Sequence, residues 1–451
     1  MGALFRHRLS LVGGFLAFGL FISALLFGFT EQKSPLPTIL PGLSIGGQDV
    51  GGLMAEEAQK VLMKKEDQLL AQDISLNYGD GSKVFTYRQL GISVPLDQLI
   101  TDALDYGQNG SLWHKIKQRW QLRHKGHDIP IKIKWDEKKI KEKVSGLAGL
   151  INSQPVNAIL EFRGDQVVLR PSRVGRELVV EETMANLLDV LPLQGKGFVP
   201  VSTTPIWPEI SSNDVRQKGI TGLVAEYVTD FNPSNKPRVE NIRVAAANLD
   251  GREIAPGEVF SFNDTVGPRT AERGFKNALI IVNHDFVPGI GGGVCQVSST
   301  LYNAVLRANL PVLERYRHSL LIGYVPLGQD ATVAYGAKDF KFTNNTGNYL
   351  VIKTAVDNNS FNVRLFGTPD PAEVELRSIV ERKIPYKTII KEDARIPKGK
   401  NFIEQQGIVG FQVRVEKVLM MKGEELSREV VSRDTYPSQS KILRVGAGDV
   451  E

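Results

Sequence analysis

GIGGGVCQVSSTLYNA, residues 289–304, is the stretch of this 451-residue chain that decides the fold of its central part. Consecutive glycines allow positive φ angles and let a ligand approach main-chain N–H groups closely. After the glycines, apolar residues recur at helical spacing at Val297, Leu301 and Val305, so the pattern predicts a helix. Cys295 lies at the start of that helix, where unpaired N–H groups and the helix dipole favour a thiolate.

Cys295 is the only cysteine in the chain. No internal disulfide can form, so the folded part has to be stable through its cores alone. Two interpretations of the thiol stay open at this point. A free cysteine is most often a small buried hydrophobic side chain, whereas a thiol beside a glycine loop and a helix start is typical of a nucleophile.

The N-terminus has the pattern of a membrane anchor. Arg6 and Arg8 precede an uncharged apolar run over residues 9–30. This run meets the roughly 20 residues that a spanning helix needs, and no Ala-x-Ala cleavage site follows it. The positive-inside rule then places the arginines in the cytoplasm. We expect residues 1–30 to form a cytoplasmic tip and an uncleaved transmembrane signal anchor, residues 31–41 to form a tether, and the bulk of the chain to be extracytoplasmic. Cleavage after the run is the alternative.

The net charge of +5 is modest and by itself indicates no nucleic-acid binding. Residues 114–143, however, hold eleven Lys or Arg against four acids. This basic stripe could attract anionic lipid headgroups or anionic wall polymers, or it could be the ordinary solvated face of a helix and linker. The interleaved Trp113, Trp120 and Trp135 could stack on bases, but an exported protein meets little nucleic acid. We therefore expect no nucleic-acid partner.

Two similar segments follow the tether, at residues 42–125 and 126–210. Each contains a predicted β-hairpin, at 74–87 and 158–169, followed by a helical stretch, at 96–106 and 180–191. The two copies share glycines and apolar residues but no acid, base or nucleophile. The pattern therefore predicts two α+β binding or spacer modules.

The composition changes again near Gly219. Short β-type runs and turn signals continue to about residue 355, with a predicted helix from Asn241 to Leu249 and another after Cys295. We predict an α+β domain over 219–355, in which a mainly antiparallel sheet holds the glycine loop and its helix. The whole chain is thus expected to be a multidomain α+β protein.

Several residues of this domain could assist the thiol. His318 lies in a polar break between two apolar runs and has the pKa to take the thiol proton; His284 is a lesser candidate. Asp330 could orient the imidazole or cap a turn. An oxyanion-binding loop could be formed by Gly291, Gly292 and Gly293. A clamp for a substrate carboxylate could be formed by Arg315 and Arg317.

Metal and nucleotide chemistry fit the sequence poorly. One cysteine and two histidines without regular spacing form no zinc set. The glycine run fails the G-x-G-x-x-G register, and no Gly-Lys-Ser/Thr sequence occurs. We therefore expect neither a metal nor a cofactor.

The glycine-cysteine run resembles the VanW domain. The resemblance covers about residues 219–354 and is carried by GGGVCQVSSTLYNA at 291–304, RHS at 317–319, YVP at 324–326, DATV at 330–333 and YG at 335–336. The two preceding modules resemble the peptidoglycan-binding domains that commonly accompany VanW. Residues 373–446 are similar to a G5 domain, a β-rich extracellular module, with IPY at 384–386 and the glycines at 399, 407 and 410.

The resemblance implies a wall-directed function. VanW domains have been proposed to act as cysteine-dependent L,D-transpeptidases of Gram-positive bacteria, which implies that Cys295 attacks a peptidoglycan stem peptide while His318 carries the proton. It also places Ser298, Ser299 and Tyr302 on the substrate side. The Ser-His-Gly-Cys core of classical L,D-transpeptidases is missing. The alternative is a non-catalytic peptidoglycan-binding accessory protein, linked to glycopeptide resistance, whose thiol is buried packing.

Overall fold

A computed structural model describes residues 37–79, 81–193, 197–282 and 285–448. The membrane span predicted over residues 9–30 and the histidine at 284 lie outside these ranges. Within them, no helix is long and apolar enough to cross a membrane. The fold is mixed α and β, with a β-rich C-terminal part, and the chain divides into two compact units.

The first unit contains the chain up to Pro155 together with Val174–Trp207. Its helices are α1 Ala55–Leu70, α2 Leu96–Asp105, α3 Leu112–Lys125, α4 Glu137–Ser145, α5 Ala148–Ile151 and α6 Val180–Val190. Its strands are β1 Leu43–Ile45, β2 Gln48–Asp49, β3 Asp73–Tyr78, β4 Gly81–Thr86, β5 Ile92–Ser93, β6 His127–Ile129, β7 Lys134–Trp135, β10 Gly175–Leu178, β11 Gly197–Pro200 and β12 Thr203–Ile206. A short 3-10 turn, Leu191–Leu193, follows α6.

One core joins the two halves of this unit. Strand β11 pairs in parallel with β3, which in turn pairs with β4, so residues from both predicted modules share a sheet. Buried Leu62, Leu99 and Leu187 belong to the same apolar cluster. The second predicted hairpin, which is β8 Ile159–Arg163 and β9 Gln166–Arg170, belongs to the other unit. The boundary predicted near residue 125 therefore does not separate two compact bodies.

The second unit contains Val156–Arg173 and the chain from Pro208 onwards. Its helices are α7 Ser212–Gln217, α8 Lys236–Leu249, α9 Phe262–Val266 and α10 Val294–Arg307. Besides the hairpin β8–β9, the strands of its central domain are β13 Gly222–Asp230, β14 Glu253–Ile254, β15 Val259–Ser261, β16 Asn277–Val282, β17 Asp285–Ile290, β18 Val312–Glu314, β19 Lys341–Thr343, β20 Leu350–Val356 and β21 Ser360–Gly367.

An antiparallel sheet of order β13-β21-β20-β14 supports the central domain. Helices α8 and α10 pack on it through one apolar core. The predicted domain end at 355 cuts off β21, which lies inside this sheet and pairs with both β13 and β20. Helix α8 begins five residues earlier than predicted, because the Asn235 side chain caps it by accepting from the Arg238 N–H and Pro237 suits a first turn.

The C-terminal part consists of two three-stranded sheets. Its strands are β22 Glu373–Ile384, β23 Thr388–Pro397, β24 Asn401–Gln405, β25 Gly410–Met421, β26 Glu424–Tyr436 and β27 Lys441–Gly448. The sheet orders are β22-β25-β26 and β23-β27-β24. Strand β22 lies against α10, so the C-terminal strands meet the central domain at the helix that begins beside Cys295.

Candidate active site

Helix α10 sets the position of the thiol. Gly291 and Gly293 have φ angles of 89° and 112°, which a residue with a side chain adopts only at a cost, and Gly293 is the N-cap residue. A Cβ atom at Gly292 would lie 2.5 Å from the Leu279 carbonyl oxygen. The turn therefore needs glycine both for its positive φ angles and for the close approach of the backbone at Gly292. Cys295 follows as the second residue of the helix.

Polar residues on the buried face of α10 then fix a second loop. Ser298 Oγ donates to the Ala331 carbonyl at 2.6 Å, and Ser299 Oγ accepts from the Ala331 N–H at 2.9 Å. Asn303 Nδ2 donates to the Gln329 carbonyl at 2.7 Å. Buried polar groups need such partners, so these bonds hold residues 329–333 along the helix start.

That loop surrounds the partly buried sulfur of Cys295. Thr332 Oγ1 lies 3.4 Å from Sγ, and the Val333 N–H donates to it at 3.5 Å. His318 lies close enough to the thiol for its imidazole to lower the thiol pKa through hydrogen bonding and charge. The Thr332 hydroxyl and the Val333 N–H can stabilise a thiolate, while the Val333 carbonyl, 3.5 Å from Sγ, accepts from the protonated thiol.

His318 is itself held by Asp330. His318 Nδ1 lies 2.6 Å from Asp330 Oδ2, and the same oxygen accepts from the His318 backbone N–H at 2.6 Å. Both side chains are almost fully buried. Because Nδ1 is engaged by Asp330, Nε2 is the ring nitrogen left to exchange a proton with the thiol, and the Tyr324 hydroxyl lies 3.4 Å from Nε2. An order of thiol, imidazole and carboxylate is one that can activate a thiol and orient its base.

The electrostatics favour a thiolate and an imidazolium. Burial alone raises the pKa of Cys295, but the hydrogen bond and charge of His318, with Thr332 and Val333, outweigh it and lower the pKa to about 7. Burial alone lowers the pKa of His318, but its bonds to Asp330 and Cys295 raise it to about 9. Burial works against Asp330 too, yet His318 and Arg315 hold its pKa near 2.

The other oxygen of Asp330 binds groups from two domains. Asp330 Oδ1 accepts from Arg315 Nη2 at 3.0 Å and from the Tyr436 hydroxyl. Arg315 Nη1 bonds both carboxylate oxygens of Asp434, at 2.7 and 2.8 Å. Asp434 and Tyr436 lie on β26, so C-terminal strands complete the network behind His318.

The structure gives the three residues predicted on the substrate side a different task. Ser298 and Ser299 are fully buried and bind the 329–333 loop. Tyr302 is buried against Phe340, and burial raises its pKa to about 12. These side chains therefore support the site from within.

The two arginines predicted as a clamp also have partners inside the protein. All three guanidinium nitrogens of Arg315 are hydrogen-bonded, and its side chain is 9% exposed. Arg317 Nη1 donates to the His318 carbonyl at 2.8 Å, and its guanidinium lies over the Tyr436 ring. Neither points to a bidentate carboxylate site.

A third arginine, Arg269, lies beside the glycine loop. The Arg269 side chain packs against the glycine loop, since a Cβ at Gly291 would lie 3.1 Å from Arg269 Cβ. Its guanidinium lies over the rings of Phe262 and Tyr335, and Nη1 donates to the Gly267 carbonyl. Within the described ranges, Nη2 is buried and has no hydrogen-bond partner. Burial lowers the pKa of Arg269, and the charge of the nearby Cys295 offsets part of that decrease.

Sequence reasoning missed five residues of the site. Thr332 and Tyr324 lie within the sequence runs that carry the VanW resemblance, so their neighbourhood was a signal. No pattern marks Arg269, and Asp434 and Tyr436 lie more than 100 residues from Asp330. Of the three glycines predicted to form an oxyanion-binding loop, Gly291 already donates its N–H to the Lys276 carbonyl at 3.2 Å.

Comparison with known protein families identifies three domains in order. The model of the "Putative peptidoglycan binding domain" matches residues 84–200, that of "VanW like protein" residues 237–366, and that of the "G5 domain" residues 375–448. The three matches agree with the resemblances drawn from the sequence motifs. Peptidoglycan-binding and G5 domains indicate an envelope or extracellular location, with peptidoglycan as a partner.

Two relatives and two solved structures resemble parts of the chain. YoaR of Bacillus subtilis (strain 168), described as uncharacterized, is 37% identical over 266 residues, 59% of this chain and 83% of YoaR. The vancomycin B-type resistance protein VanW of Enterococcus faecalis (strain ATCC 700802 / V583) is 30% identical over 30% of this chain and half of its own length.

The match to the IgA1 protease G5 domain has 26% identity and a TM-score of 0.14, and it covers 18% of this chain and 95% of the IgA1 protease domain. The match to the HP0197 G5 domain has 27% identity and a TM-score of 0.12, and it covers 17% of this chain and all of the HP0197 domain. The family assignment rests on the domain models and on the relative matched over most of its length. The chain therefore belongs to the VanW family, as a cell-wall-associated member with a peptidoglycan-binding domain before the VanW domain and a G5 domain after it.

Proposed function

We propose that this protein is a membrane-anchored, extracytoplasmic acyltransferase of the L,D-transpeptidase type that acts on peptidoglycan stem peptides through Cys295. The observation that carries the proposal is the chain of contacts from Cys295 through His318 to Asp330, with a thiol pKa near 7. A cysteine kept only for packing needs neither a buried imidazole nor a carboxylate behind it. Such an arrangement is the usual signature of an activated nucleophile.

The first half-reaction would form a thioester. The Cys295 thiolate attacks the carbonyl carbon that precedes the terminal D-Ala of a tetrapeptide stem, and a C–S bond forms. His318, which holds the proton that the thiol gave up, passes it to the leaving D-Ala nitrogen as the C–N bond breaks. The stem remains bound to the sulfur as an acyl group.

The second half-reaction would transfer the acyl group. The amine of a neighbouring stem attacks the thioester carbon, neutral His318 takes the proton of that amine, and the C–S bond breaks to regenerate the thiolate. Water in place of the amine would trim the stem. The oxyanion of each tetrahedral intermediate would lie near the main-chain N–H groups of Gly293 and Cys295, at the positive end of α10.

Arg269 would hold the carboxylate of the terminal D-Ala. Its buried Nη2 has no partner within the described ranges, and it packs against the loop that carries Cys295. A buried N–H donor without a partner costs free energy, which a carboxylate oxygen would recover. The leaving group of the proposed reaction carries such a carboxylate.

The membrane anchor belongs to the same proposal. The apolar run at residues 9–30, with Arg6 and Arg8 before it, would fix the protein on the outer face of the cytoplasmic membrane. The peptidoglycan-binding and G5 domains would then keep the VanW site among wall peptides.

Incubation of the full chain in detergent with tetrapeptide-containing muropeptides, followed by mass spectrometry, tests this function. We expect cross-linked dimers or trimmed stems together with free D-Ala, and none of these with Cys295→Ala. Unchanged muropeptides, or equal turnover by Cys295→Ala, would instead favour the non-catalytic wall-binding protein.

A further inference from the structure

Helix α3 exposes an apolar stripe to solvent. Leu112, Trp113, Ile116 and Trp120 are 78%, 82%, 56% and 57% exposed. At about 100° per residue the four side chains fall within an arc of roughly 100°. Leu122, the one buried residue of the helix, lies on another face. Such a stripe is unusual on a protein surface unless it has a partner.

The same helix is strongly basic. It contains no acidic residue, and it carries Lys115, Lys117, Arg119, Arg123 and Lys125. A second copy of this helix would be repelled by like charge, and an anionic wall polymer would leave two tryptophans and two aliphatic side chains in water. An anionic bilayer surface satisfies both features, because aromatic rings prefer the headgroup level and lysines and arginines bind anionic lipid.

The helix also lies where the chain enters the folded unit. Strand β6 directly follows it and pairs in parallel with β1, and the His127 N–H donates to the Gly42 carbonyl at 3.0 Å. Residue 42 is only twelve residues after the apolar run, a reach of at most about 40 Å. The end of α3 is therefore held close to the membrane if residues 9–30 span it.

We infer that α3 lies in the headgroup region of an anionic membrane, with Leu112, Trp113, Ile116 and Trp120 inserted. The single span fixes only the distance of the protein from the bilayer, whereas a second, interfacial contact also fixes its orientation. This inference is independent of the acyltransferase chemistry.

Quenching of tryptophan emission by brominated lipid tests the inference. The full chain is reconstituted in vesicles of phosphatidylglycerol and brominated phosphatidylcholine, and the double variant Trp113→Phe/Trp120→Phe is compared with Trp207→Phe, which removes an equally exposed tryptophan. We expect strong quenching in the wild type and in Trp207→Phe, little in the double variant, and less when the lipid is purely zwitterionic. Equal quenching in the double variant and the wild type, or an emission shift caused by soluble polyphosphate but not by vesicles, would overturn it.

A separate observation concerns the C-terminal domain. We propose that Asp434 and Tyr436 are positioning residues for the Cys295 site, which rests on the proposed function for its catalytic meaning. Asp330 is 1% exposed, and its Oδ1 has Arg315 and Tyr436 as donors while Oδ2 serves His318. Asp434 neutralises Arg315 on the side away from Asp330. Strand β26 thus sets both the orientation and the charge of the carboxylate that holds His318.

The two residues act on the site with opposite signs. Asp434→Asn removes a negative charge and leaves Arg315 less neutralised, so the pKa values of both Cys295 and His318 should fall. Tyr436→Phe removes a donor from Asp330, whose negative charge is then less shared, so both values should rise. The two substitutions act within one network of ionisable side chains around Cys295 and His318. Its other members are Asp330, Arg315, Asp434, Tyr436, Tyr302, Tyr324, Arg317 and Arg269.

The pH dependence of Cys295 alkylation by iodoacetamide, measured on the full chain, tests this. We expect the midpoint to move down by up to about one pH unit in Asp434→Asn and up by less in Tyr436→Phe. Asp393→Asn is the matched control, because Asp393 is equally buried and pairs with arginines in the other C-terminal sheet. Shifts in one direction, or none, would contradict the positioning role. A wild-type midpoint at the ordinary thiol value would count against the proposed function instead.

Discussion

Two helices of fourteen residues depart from the usual burial pattern in opposite ways, since one buries polar side chains and the other exposes apolar ones. Helix α10 has twelve buried residues, among them Gln296, Ser298, Ser299, Thr300 and Asn303, whereas α3 has one buried residue and exposes two tryptophans. In α10 the buried polar groups find backbone and side-chain partners and thereby build a site. In α3 the four apolar side chains of the stripe stay more than half exposed within the part of the chain that the structure describes. These two departures are the basis of the two proposals, a reactive thiol at the start of α10 and a membrane contact along α3.

The largest loss of activity should come from substitution of His318, which the loop packed on α10 holds beside the Cys295 sulfur. We expect His318→Gln to lower kcat by about 10²- to 10⁴-fold, since both proton transfers lose their carrier. Steady-state release of D-Ala from a tetrapeptide substrate measures this. His114→Gln on the exposed helix is the matched control, and a similar loss there would show that the effect is not specific to the site.

Stability should separate the two helices next. Leu301→Ala removes a fully buried side chain from the main core and should cost about 2 to 5 kcal/mol in the free energy of unfolding. Ile116→Ala on α3 should change it by less than about 0.5 kcal/mol. Urea unfolding of the full chain, followed by circular dichroism, measures both. A comparable loss at Ile116 would mean that α3 packs against protein after all.

Arg269 offers a subtler test of the substrate side. We expect Arg269→Lys to raise KM for the tetrapeptide about tenfold, because the planar guanidinium that faces a carboxylate is replaced by a point charge. A substrate amidated at the terminal carboxyl should show no difference between the two enzymes. Equal KM values on the free acid would remove Arg269 from the binding site.

The pH dependence should be the mildest effect. Activity should rise as the pH passes about 7, where Cys295 becomes a thiolate, and fall above about 9, where His318 loses its proton. The two groups interact, so the profile reports values of the pair. A profile of kcat/KM that rises only near the ordinary thiol pKa would show that His318 does not stabilise the thiolate.

The sequence predicted the parts of this account that are local. The glycine run, the following helix and the nearby His318 and Asp330 can be identified from neighbouring residues. The structure places the side chains of Cys295, His318 and Asp330 together. The burial of Ser298 and Ser299 could not be predicted, because serines on one helical face look the same whether they meet substrate or a loop. Asp434 joins the network through a strand pairing that leaves no periodic trace near Asp330.

Two of the predicted domain boundaries differ from the strand pairings for a related reason. The predicted domain ends at residue 355, yet the turn after Val356 joins two strands of the central sheet. The pairing of β11 with β3 brings together segments more than 100 residues apart, which no local pattern reports.

The most direct test of the central claim is the intact mass of the full chain after brief mixing with a tetrapeptide stem that lacks an acceptor amine. We expect an adduct equal to the stem minus D-Ala, located on the peptide that contains Cys295, sensitive to hydroxylamine and absent in Cys295→Ala. D-Ala release without any adduct on that cysteine, or an adduct that persists in Cys295→Ala, would contradict a thioester mechanism at this site.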